Sequence, residues 1–244
     1  MDFVLIIGGN SDIGKAIAKE YAKKSFNLYL THRNEKQLDE FCASLENRYG
    51  IKVFSVFLDV LDFNSHLAFY NALDPKPKGI VSTVGLLDDN DKSFKNFNSS
   101  LLSINTNYVG LVSLLNIASN QLIKDKARGF IIGVSSVAGE RGRKSNFIYG
   151  SAKSGFTEYL SGLRSYLNPY GIKVLTILPG FVYTKMTEGL KLPRLLSTNP
   201  KLVAKKIVQA QSRQKDVIYI SWFWKYIMIV IKILPEKIFK KINF

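Results

Sequence analysis

Short runs of apolar residues alternate along this chain with longer stretches in which apolar positions recur every three to four residues. Strand-like stretches lie at residues 3–8, 27–31, 51–57, 79–84, 130–136 and 171–178, and residues 3–8 form a continuous apolar run. A run that stays apolar on consecutive positions is typical of a parallel strand that helices cover on both faces. The stretch after the first run places Ile13, Ile17, Ala18 and Tyr21 on one helical face. The pattern therefore predicts an α/β protein built on a parallel sheet.

Helix signals and the lack of linkers predict one main domain. Asn34 with Gln37 forms a capping box for the second helix, and residues 97–124 form a long helical stretch. A chain of 244 residues can bury one large core, and it contains no Pro/Ser-rich linker, low-complexity tract or internal repeat. We therefore expect a single catalytic domain over residues 1–220, followed by a tail over residues 221–244.

A glycine-rich turn, GGNSDIG, joins the first strand to the first helix. Glycines at such a turn let a pyrophosphate approach the backbone, and the helix N-terminus attracts the anion. The cofactor-binding candidates in this turn are Gly8, Asn10, Ser11, Ile13 and Gly14. Asp12 also lies in the turn, where an inward carboxylate would repel phosphate. We therefore expect Asp12 to cap the helix from outside.

Tyr149 and Lys153 are four residues apart, and Ser136 lies thirteen residues before Tyr149. On a helix that spacing puts the phenol and the ammonium on one face. Free tyrosine titrates near pH ~10, and a nearby ammonium favours the phenolate. A serine hydroxyl beside the phenol can hold a carbonyl oxygen ready for protonation. Such a pair is also common on solvated helices, but the preceding strand and the glycine turn favour carbonyl reduction or alcohol oxidation with a hydride donor.

With these motifs in register, the chain resembles the short-chain dehydrogenase/reductase family over nearly its whole length. The glycine turn is similar to the family pattern T-G-x-x-x-G-I-G, except that Ile7 replaces the threonine and Asp12 the middle glycine. The resemblance implies a Rossmann-like doubly wound parallel sheet of about seven strands, with helices on both faces. It also implies an NAD(P)-dependent oxidoreductase that forms a homodimer or homotetramer.

The resemblance assigns further roles. Asn107, within INTNYVG, would hold a water that connects Lys153 to solvent, and Asn105 would do so if the register slips by two. Asp59 would bind the adenine, and Lys153 the nicotinamide ribose as well. The other cofactor contacts implied are Tyr149, Val60, Gly85, Pro179, Gly180, Val182 and Thr184. Residues 185–198 resemble a substrate lid. No metal site is predicted, since His32 has no recognisable ligand partner.

The end of the second strand bears on the choice of cofactor. Enzymes that select NAD usually place an acidic residue here to bind the ribose hydroxyls. This chain has none, and Arg33 is available for a 2′-phosphate. We therefore predict NADP(H) over NAD(H), the alternative being that Arg33 merely begins a solvated helix.

Charge and cysteine content suggest a location. The net charge is +15, and residues 185–244 carry 13 Lys and Arg against 3 Asp and Glu. Such charge suggests nucleic acid, a membrane surface or a phosphorylated substrate as partner. No nucleic-acid motif accompanies it, and Ile and Val dominate the segment, so a membrane surface is favoured. A single cysteine, Cys42, suits a reducing compartment, and the start MDFVLIIGG lacks the basic residues of a signal peptide. We expect a cytoplasmic protein, peripheral on the cytoplasmic face of the membrane.

The tail, residues 221–244, is predicted to be an amphipathic basic helix. Lys225 and Lys232 leave only six apolar residues between them, too few for the ~20 of a spanning helix. A helix lying in the interface would place Trp222, Phe223 and Trp224 near the headgroups. Alternatively, the apolar face closes the core or a dimer contact.

The glycine turn, the YGSAK helix and the tail together resemble one subgroup of the family, which reduces a keto sugar on a polyprenyl phosphate. In such systems a separate flavoprotein oxidises the sugar first. The lipid would explain the apolar tail and lid. Its phosphate would explain basic residues such as Arg141, Arg143, Lys191 and Arg194, the alternative being that these are solvated loop charges. Two alternatives stay open: a reductase of fatty acyl, steroid or xenobiotic carbonyls, and a non-catalytic NADP-binding scaffold.

Overall fold

A computed structural model describes residues 1–33 and 38–242, and its centre is one parallel sheet. The predicted capping box of Asn34 and Gln37 lies outside the described residues. The strands are β1 (Phe3–Ile7), β2 (Asn27–His32), β3 (Val53–Phe57), β4 (Gly79–Ser82), β5 (Phe130–Val134), β6 (Lys173–Leu178), β7 (Phe181–Val182), β8 (Ser197–Thr198) and β9 (Val217–Tyr219). The helices are α1 (Asp12–Ala22), α2 (Asp39–Tyr49), α3 (His66–Ala72), α4 (Asn90–Lys95), α5 (Phe97–Ile104), α6 (Gly110–Lys124), α7 (Phe147–Leu167), α8 (Pro200–Ser212), α9 (Trp222–Ile233) and α10 (Glu236–Phe239).

The main sheet has the order β3-β2-β1-β4-β5-β6-β9, and each neighbouring pair is parallel. The chain winds outward from β1 in one direction to β3, then returns to β4 and continues to the other edge. This is the doubly wound arrangement, and the prediction of about seven strands with helices on both faces is confirmed. Its ligand crevice lies at the carboxyl ends of the strands, where the winding reverses between β1 and β4.

The central strand shows why the apolar runs are continuous. All five residues of β1 are buried, and successive side chains point to opposite faces. Val4 and Ile6 pack into the layer formed with α1 and α8, whereas Leu5 and Ile7 pack into the layer formed with α6 and α7. Neither face reaches water, so neither face tolerates polar residues.

The C-terminal helix α9 adds a third, smaller apolar cluster at the end of the sheet. Trp224, Met228 and Ile231 are buried there against Val137 and Leu178. The predicted amphipathic helix is therefore present, but its inner face is part of the core. The contacts also show that deleting residues 221–244 would uncover apolar surface of the main domain, so deletion is not a clean test of membrane binding.

One helical stretch of the described residues, Phe97–Lys124, is long and apolar enough to cross a membrane by length and composition. Within it Leu111, Leu115 and Leu122 are buried against the sheet. A buried core helix passes the same test of length and composition. This stretch therefore carries no argument for a membrane span.

Candidate active site

The glycine turn between β1 and α1 is held by hydroxyls from the neighbouring strands. Gly8 adopts a φ of 86°, in the region that favours glycine, and its N–H donates to Thr31 Oγ1 at 2.9 Å. The hydroxyls of Ser11 and Thr83 donate to the Gly8 carbonyl at 2.8 and 3.0 Å. A Cβ on Gly14 would lie 2.3 Å from that same carbonyl, so only glycine fits there. The turn thus brings bare backbone to the N-terminus of α1.

Asp12 does not cap α1. The N-cap is Ser11, whose hydroxyl accepts from the Gly14 N–H at 3.0 Å. Asp12 instead occupies the first turn and reaches outward, where its Oδ2 accepts from the backbone N–H of Lys185 at 2.7 Å. The Asp12 carboxylate therefore points away from the proposed anion site, as expected. Its partner, however, is the backbone of the segment 185–198 and not helix α1.

Asn107 is turned toward the sheet by a break in the long helix. Residues Asn105–Val109 form one π-helical turn, a feature that often marks functional sites. Asn107 is fully buried, whereas Asn105 is not. The Asn107 side chain accepts from the Leu86 N–H at 3.0 Å and donates to the Leu86 carbonyl at 2.8 Å. Three residues on, a Cβ on Gly110 would lie 2.2 Å from the Val60 carbonyl, so the glycine admits the loop after β3.

Lys153 passes between the carboxyl ends of β4 and β5. Its ammonium donates to the carbonyls of Val84 and Val134, each at 3.2 Å. Val84 also lies against Gly8, so the lysine reaches the immediate surroundings of the glycine turn. Burial lowers the pKa of Lys153 to about 7, because the side chain is only 2% exposed and the described residues give the charge no carboxylate partner.

The Ser136 hydroxyl accepts from the Ala138 N–H at 3.1 Å and lies near enough to the Tyr149 phenol to lower its pKa. Burial raises the pKa of Tyr149 to about 12, an effect that Ser136 offsets only in part. The Lys153 ammonium lies 5.9 Å from the centre of the phenol ring.

The expectation that Lys153 supplies the pKa shift of Tyr149 is therefore not met in this structure. The lysine gives its N–H groups to two backbone carbonyls, and its own pKa near 7 leaves it only partly charged at neutral pH. A raised pKa keeps the Tyr149 phenol protonated at neutral pH, which is the form that a proton donor needs.

Two of the four predicted catalytic residues, Asn107 and Lys153, meet beside Gly85. A Cβ placed on Gly85 would lie 3.4 Å from Asn107 Oδ1 and 3.7 Å from Lys153 Nζ. Tyr149 is one helical turn from Lys153 on α7, and Ser136 lies beside its phenol. The four side chains thus lie near one another, and their roles remain predictions.

The other predicted cofactor contacts lie along the same edge. Asp59 is partly exposed after β3 with Oδ1 accepting from the Leu61 N–H at 3.0 Å, and Val60 is buried. Arg33 is exposed after β2. The remaining ones are in or beside the turn and the lid: Asn10, Ile13, Pro179, Gly180, Val182 and Thr184.

Arg141 and Arg143, which the lipid phosphate was expected to explain, are occupied by α9. Arg141 donates to the carbonyls of Ile231 and, at 2.7 Å, Leu234, so it binds the negative end of the helix dipole. Arg143 is buried and donates to Met228 Sδ at 3.5 Å. Their role is thus to hold the tail. Lys191 and Arg194, on the lid, are not buried.

Two residues that shape the site, Thr83 and Trp224, were not predicted from the sequence. Thr83 braces the glycine turn, and its place at the end of the strand beside β1 was the available signal. Trp224 covers the turn after β6, because a Cβ on Gly180 would lie 1.9 Å from its Nε1. No local pattern relates positions 180 and 224.

The family model for short chain dehydrogenase matches residues 2–194. The chain belongs to this family. A relative from Mycobacterium tuberculosis, described as an uncharacterized oxidoreductase, is 32% identical over 241 residues, which are 98% of this chain and 96% of that protein. As a short chain dehydrogenase, this chain is an oxidoreductase.

Two solved structures confirm the fold of this short chain dehydrogenase. A short-chain dehydrogenase from Sphingobium yanoikuyae in complex with NADPH matches 97% of each chain with a TM-score of 0.83 and 20% identity. A 3-oxoacyl-[acyl-carrier protein] reductase from Brucella melitensis with bound NAD covers 89% of this chain and 88% of its own, with a TM-score of 0.77 and 20% identity.

Proposed function

We propose that this protein is an NADPH-dependent carbonyl reductase in which Tyr149 protonates the carbonyl oxygen. The supporting observation is the meeting of Asn107, Ser136, Tyr149 and Lys153 at the carboxyl edge of the sheet, next to the glycine turn. A reduction needs an acid beside the carbonyl, and this edge carries a phenol that stays protonated at neutral pH.

Each residue has a distinct task. Ser136 orients the carbonyl oxygen, since its hydroxyl is already held next to the phenol. Tyr149 donates the proton. Lys153, with a pKa of about 7, can gain and lose a proton at neutral pH and so returns one to Tyr149. Asn107 holds the Gly85–Leu86 backbone in place and completes the path to solvent.

The turn fits a nicotinamide dinucleotide. Gly8 and Gly14 leave the backbone open at the N-terminus of α1, where a pyrophosphate is favoured, and the Asp12 carboxylate points elsewhere. Such a cofactor supplies the hydride when bound. The solved relatives bind NADPH in one case and NAD in another, so our preference for NADPH depends on Arg33, whose exposed cation suits a 2′-phosphate.

We propose that the substrate is a keto sugar carried on a polyprenyl phosphate, as reduced by the reductase component of decaprenylphosphoryl-ribose 2′-epimerase. Exposed apolar residues beside the site support a lipid-linked substrate: Tyr183, Met186 and Leu190 are about half exposed, and Leu195 is 91% exposed. Lys191 and Arg194 on the same lid carry charge suited to a phosphate. A flavoprotein oxidase that forms the ketone is the corresponding partner.

A cofactor-coupled assay in detergent tests this proposal. We expect turnover of a polyprenyl-phosphate keto sugar with NADPH, and much slower turnover of the same keto sugar without its lipid, because the lid contacts would be lost. The measurement compares kcat/KM for both substrates, each with NADPH and NADH. Faster reaction with NADH would contradict the cofactor proposal.

The same assay separates the alternatives. Efficient reduction of fatty acyl, steroid or xenobiotic carbonyls without lipid or detergent would identify a reductase of small lipophilic ketones. Binding of NADPH with no turnover on any carbonyl would identify a scaffold, although the intact Ser136, Tyr149 and Lys153 argue against it.

We further propose that the outer face of α9 lies on an anionic membrane surface. This face consists of Trp222, Tyr226, Ile229, Val230 and Ile233, which are 42 to 74% exposed. Exposed lysines adjoin it at positions 225, 237, 240 and 241. Apolar side chains next to lysines suit a bilayer with anionic headgroups better than a purely apolar partner.

Two details of the predicted tail need correction. Trp224 was expected near the headgroups but is 3% exposed, and Phe223 is partly covered. Lys232, which is seven residues from Lys225 in the same helix, does not point freely into solvent, because its ammonium bonds Glu140 Oε1 at 2.7 Å. Trp222 is therefore the aromatic residue of this group available to a headgroup region.

The placement of α9 would bring the membrane close to the lid. The lid follows β6 and α9 follows β9, and the two strands are parallel neighbours. Both segments therefore leave the carboxyl edge of the sheet, where the catalytic residues lie. A groove of about 1130 Å³ between α1 and the lid is lined by Lys15, Lys19, Lys185 and Lys201, together with the acidic side chains of Asp12, Glu20 and Glu188.

Vesicle sedimentation tests the membrane proposal. The protein should pellet with phosphatidylglycerol vesicles, and a Trp222→Ser, Ile233→Ser variant should bind about tenfold more weakly because two exposed apolar anchors are lost. Tyr166→Ser, which alters a 64% exposed residue of α7, is the matched control. The proposal is wrong if the wild type stays in the supernatant or if the double variant pellets equally well.

We propose a cytoplasmic homodimer or homotetramer that is peripheral on the membrane. Family resemblance implies that the subunits pair through the two long helices near residues 97–124 and 148–168.

A further inference from the structure

The lid, residues 185–198, is attached at both ends to side chains from distant parts of the chain. At its start the Lys185 N–H donates to Asp12 Oδ2 at 2.7 Å, and near its end Trp224 Nε1 donates to the Leu196 carbonyl at 3.3 Å. We propose that Asp12 and Trp224 are positioning residues that hold the lid closed over the active site. This inference goes beyond the proposed reaction and assigns two residues outside the catalytic set.

The two attachment points are themselves rigid. Asp12 belongs to the first turn of α1, the helix that the glycine turn opens. Trp224 is buried on α9, lies directly over Gly180, and makes an edge contact with Phe181 at 5.4 Å between ring centres. The lid is thus joined on one side to the proposed pyrophosphate site and on the other to the turn after β6.

The lid also closes its own base. The short strands β7 and β8 pair with each other, and the Tyr183 N–H donates to the Thr198 carbonyl at 2.9 Å. At the start of the lid, Thr187 Oγ1 donates to the Val182 carbonyl at 2.7 Å. Because the two ends of the lid are paired with each other, the motion left to the lid is rotation as a whole about this pair of strands. The contacts of Asp12 and Trp224 oppose that rotation.

Lid position matters because of Met186, the residue next to the Asp12 attachment. A Cβ on Gly85 would lie 3.3 Å from Met186 Cε, at the point that Asn107 Oδ1 and Lys153 Nζ also approach within 4 Å. Met186 therefore forms one wall of the reaction site. A lid that opens withdraws this wall and admits water, which raises KM for the carbonyl more than it lowers kcat.

Limited trypsin digestion tests the attachment without any substrate. Asp12→Ala and Trp224→Phe should each speed cleavage after Lys191 and Arg194, located by mass spectrometry, by about three- to tenfold, the factor expected for one lost hydrogen bond. Asp12→Asn keeps an acceptor oxygen and should be cleaved like the wild type. Trp224→Phe keeps an aromatic ring over Gly180, so folding should be preserved.

The matched controls are Asp39→Ala, which removes a first-turn carboxylate from α2, and Trp222→Phe, which alters the exposed tryptophan of α9. Wild-type cleavage rates in Asp12→Ala and Trp224→Phe would overturn the proposal, as would equal acceleration in the controls.

Kinetics give a second readout that rests on the proposed function. Both variants should raise KM for the carbonyl substrate about three- to tenfold with kcat nearly unchanged, and Asp12→Asn should restore the wild-type value. A loss confined to kcat would contradict a positioning role. If no carbonyl is turned over by the wild type, the reductase proposal fails while the digestion still decides the role of the lid attachments.

Discussion

Replacing Tyr149 by Phe should lower kcat by about 10²- to 10⁴-fold, the usual contribution of a positioned proton donor. The phenol is the group on α7 that lies beside Ser136 and stays protonated at neutral pH, since its pKa is about 12. Phenylalanine keeps the ring beside Lys153 and removes only the hydroxyl. The measurement is steady-state kinetics together with NADPH binding by fluorescence, and cofactor affinity should be nearly unchanged.

Tyr159→Phe is the matched control for this experiment. Tyr159 lies on the same helix ten residues later, and its hydroxyl donates to Asn116 Oδ1 at 2.9 Å, on the α6 side. Its variant should retain wild-type kcat. Turnover of Tyr149→Phe within a few-fold of the wild type would refute the assignment of the acid, and loss of cofactor binding would show that the phenol has another role.

The fold and the centre of the site could be predicted because they depend on local patterns. Apolar runs identify strands buried on both faces, and a spacing of four places Tyr149 and Lys153 on one side of a helix. The family resemblance, through the match of Asn107 and Gly110 to its N-x-x-G pattern, predicts Asn107 at the site. In the structure Gly110 admits the Val60 carbonyl and the π turn directs Asn107 inward.

The buried face of α9 could not be predicted. The two lysines of α9 mark a polar side, but no sequence feature distinguishes an apolar side that faces the core from one that faces a membrane. Two contacts decide which side of α9 faces the core. Gly180 lacks a side chain and so leaves room for the Trp224 ring, and Arg141 binds the carbonyls at the end of the helix. These contacts join positions 44 and 93 residues apart.

The pKa relation within the site also required the structure. Spacing shows that Lys153 can approach Tyr149, but not how much water surrounds either group. Burial of the lysine removes the solvation that would favour its charge, so the group expected to shift the tyrosine is itself shifted to a pKa of about 7. A lysine in that range suits proton exchange at neutral pH, and this favours a relay role over a purely electrostatic one.

Burial of Lys153 should also reduce the stability of the protein. In the unfolded chain the ammonium has its ordinary pKa of 10.5, whereas in the folded protein the pKa is about 7. Between these values the unfolded state binds more protons, so the free energy of unfolding rises with pH. Below pH 7 both states are charged and the burial cost is complete, and above 10.5 both are neutral and it vanishes.

Lys153→Met should abolish catalysis, because it removes the proposed proton relay. It should also change how the free energy of unfolding depends on pH. Methionine fills a similar volume without a charge, so the variant lacks the rise contributed by the lysine. In urea titrations from pH 7 to 10, the free energy of unfolding of the wild type should gain up to about 1.4 kcal/mol per pH unit on that of the variant. Lys173→Met, at the exposed start of β6, should follow the wild type. Parallel curves for wild type and Lys153→Met would show that the lysine is solvated and charged in the folded protein, and the proton-relay role would lose its physical basis.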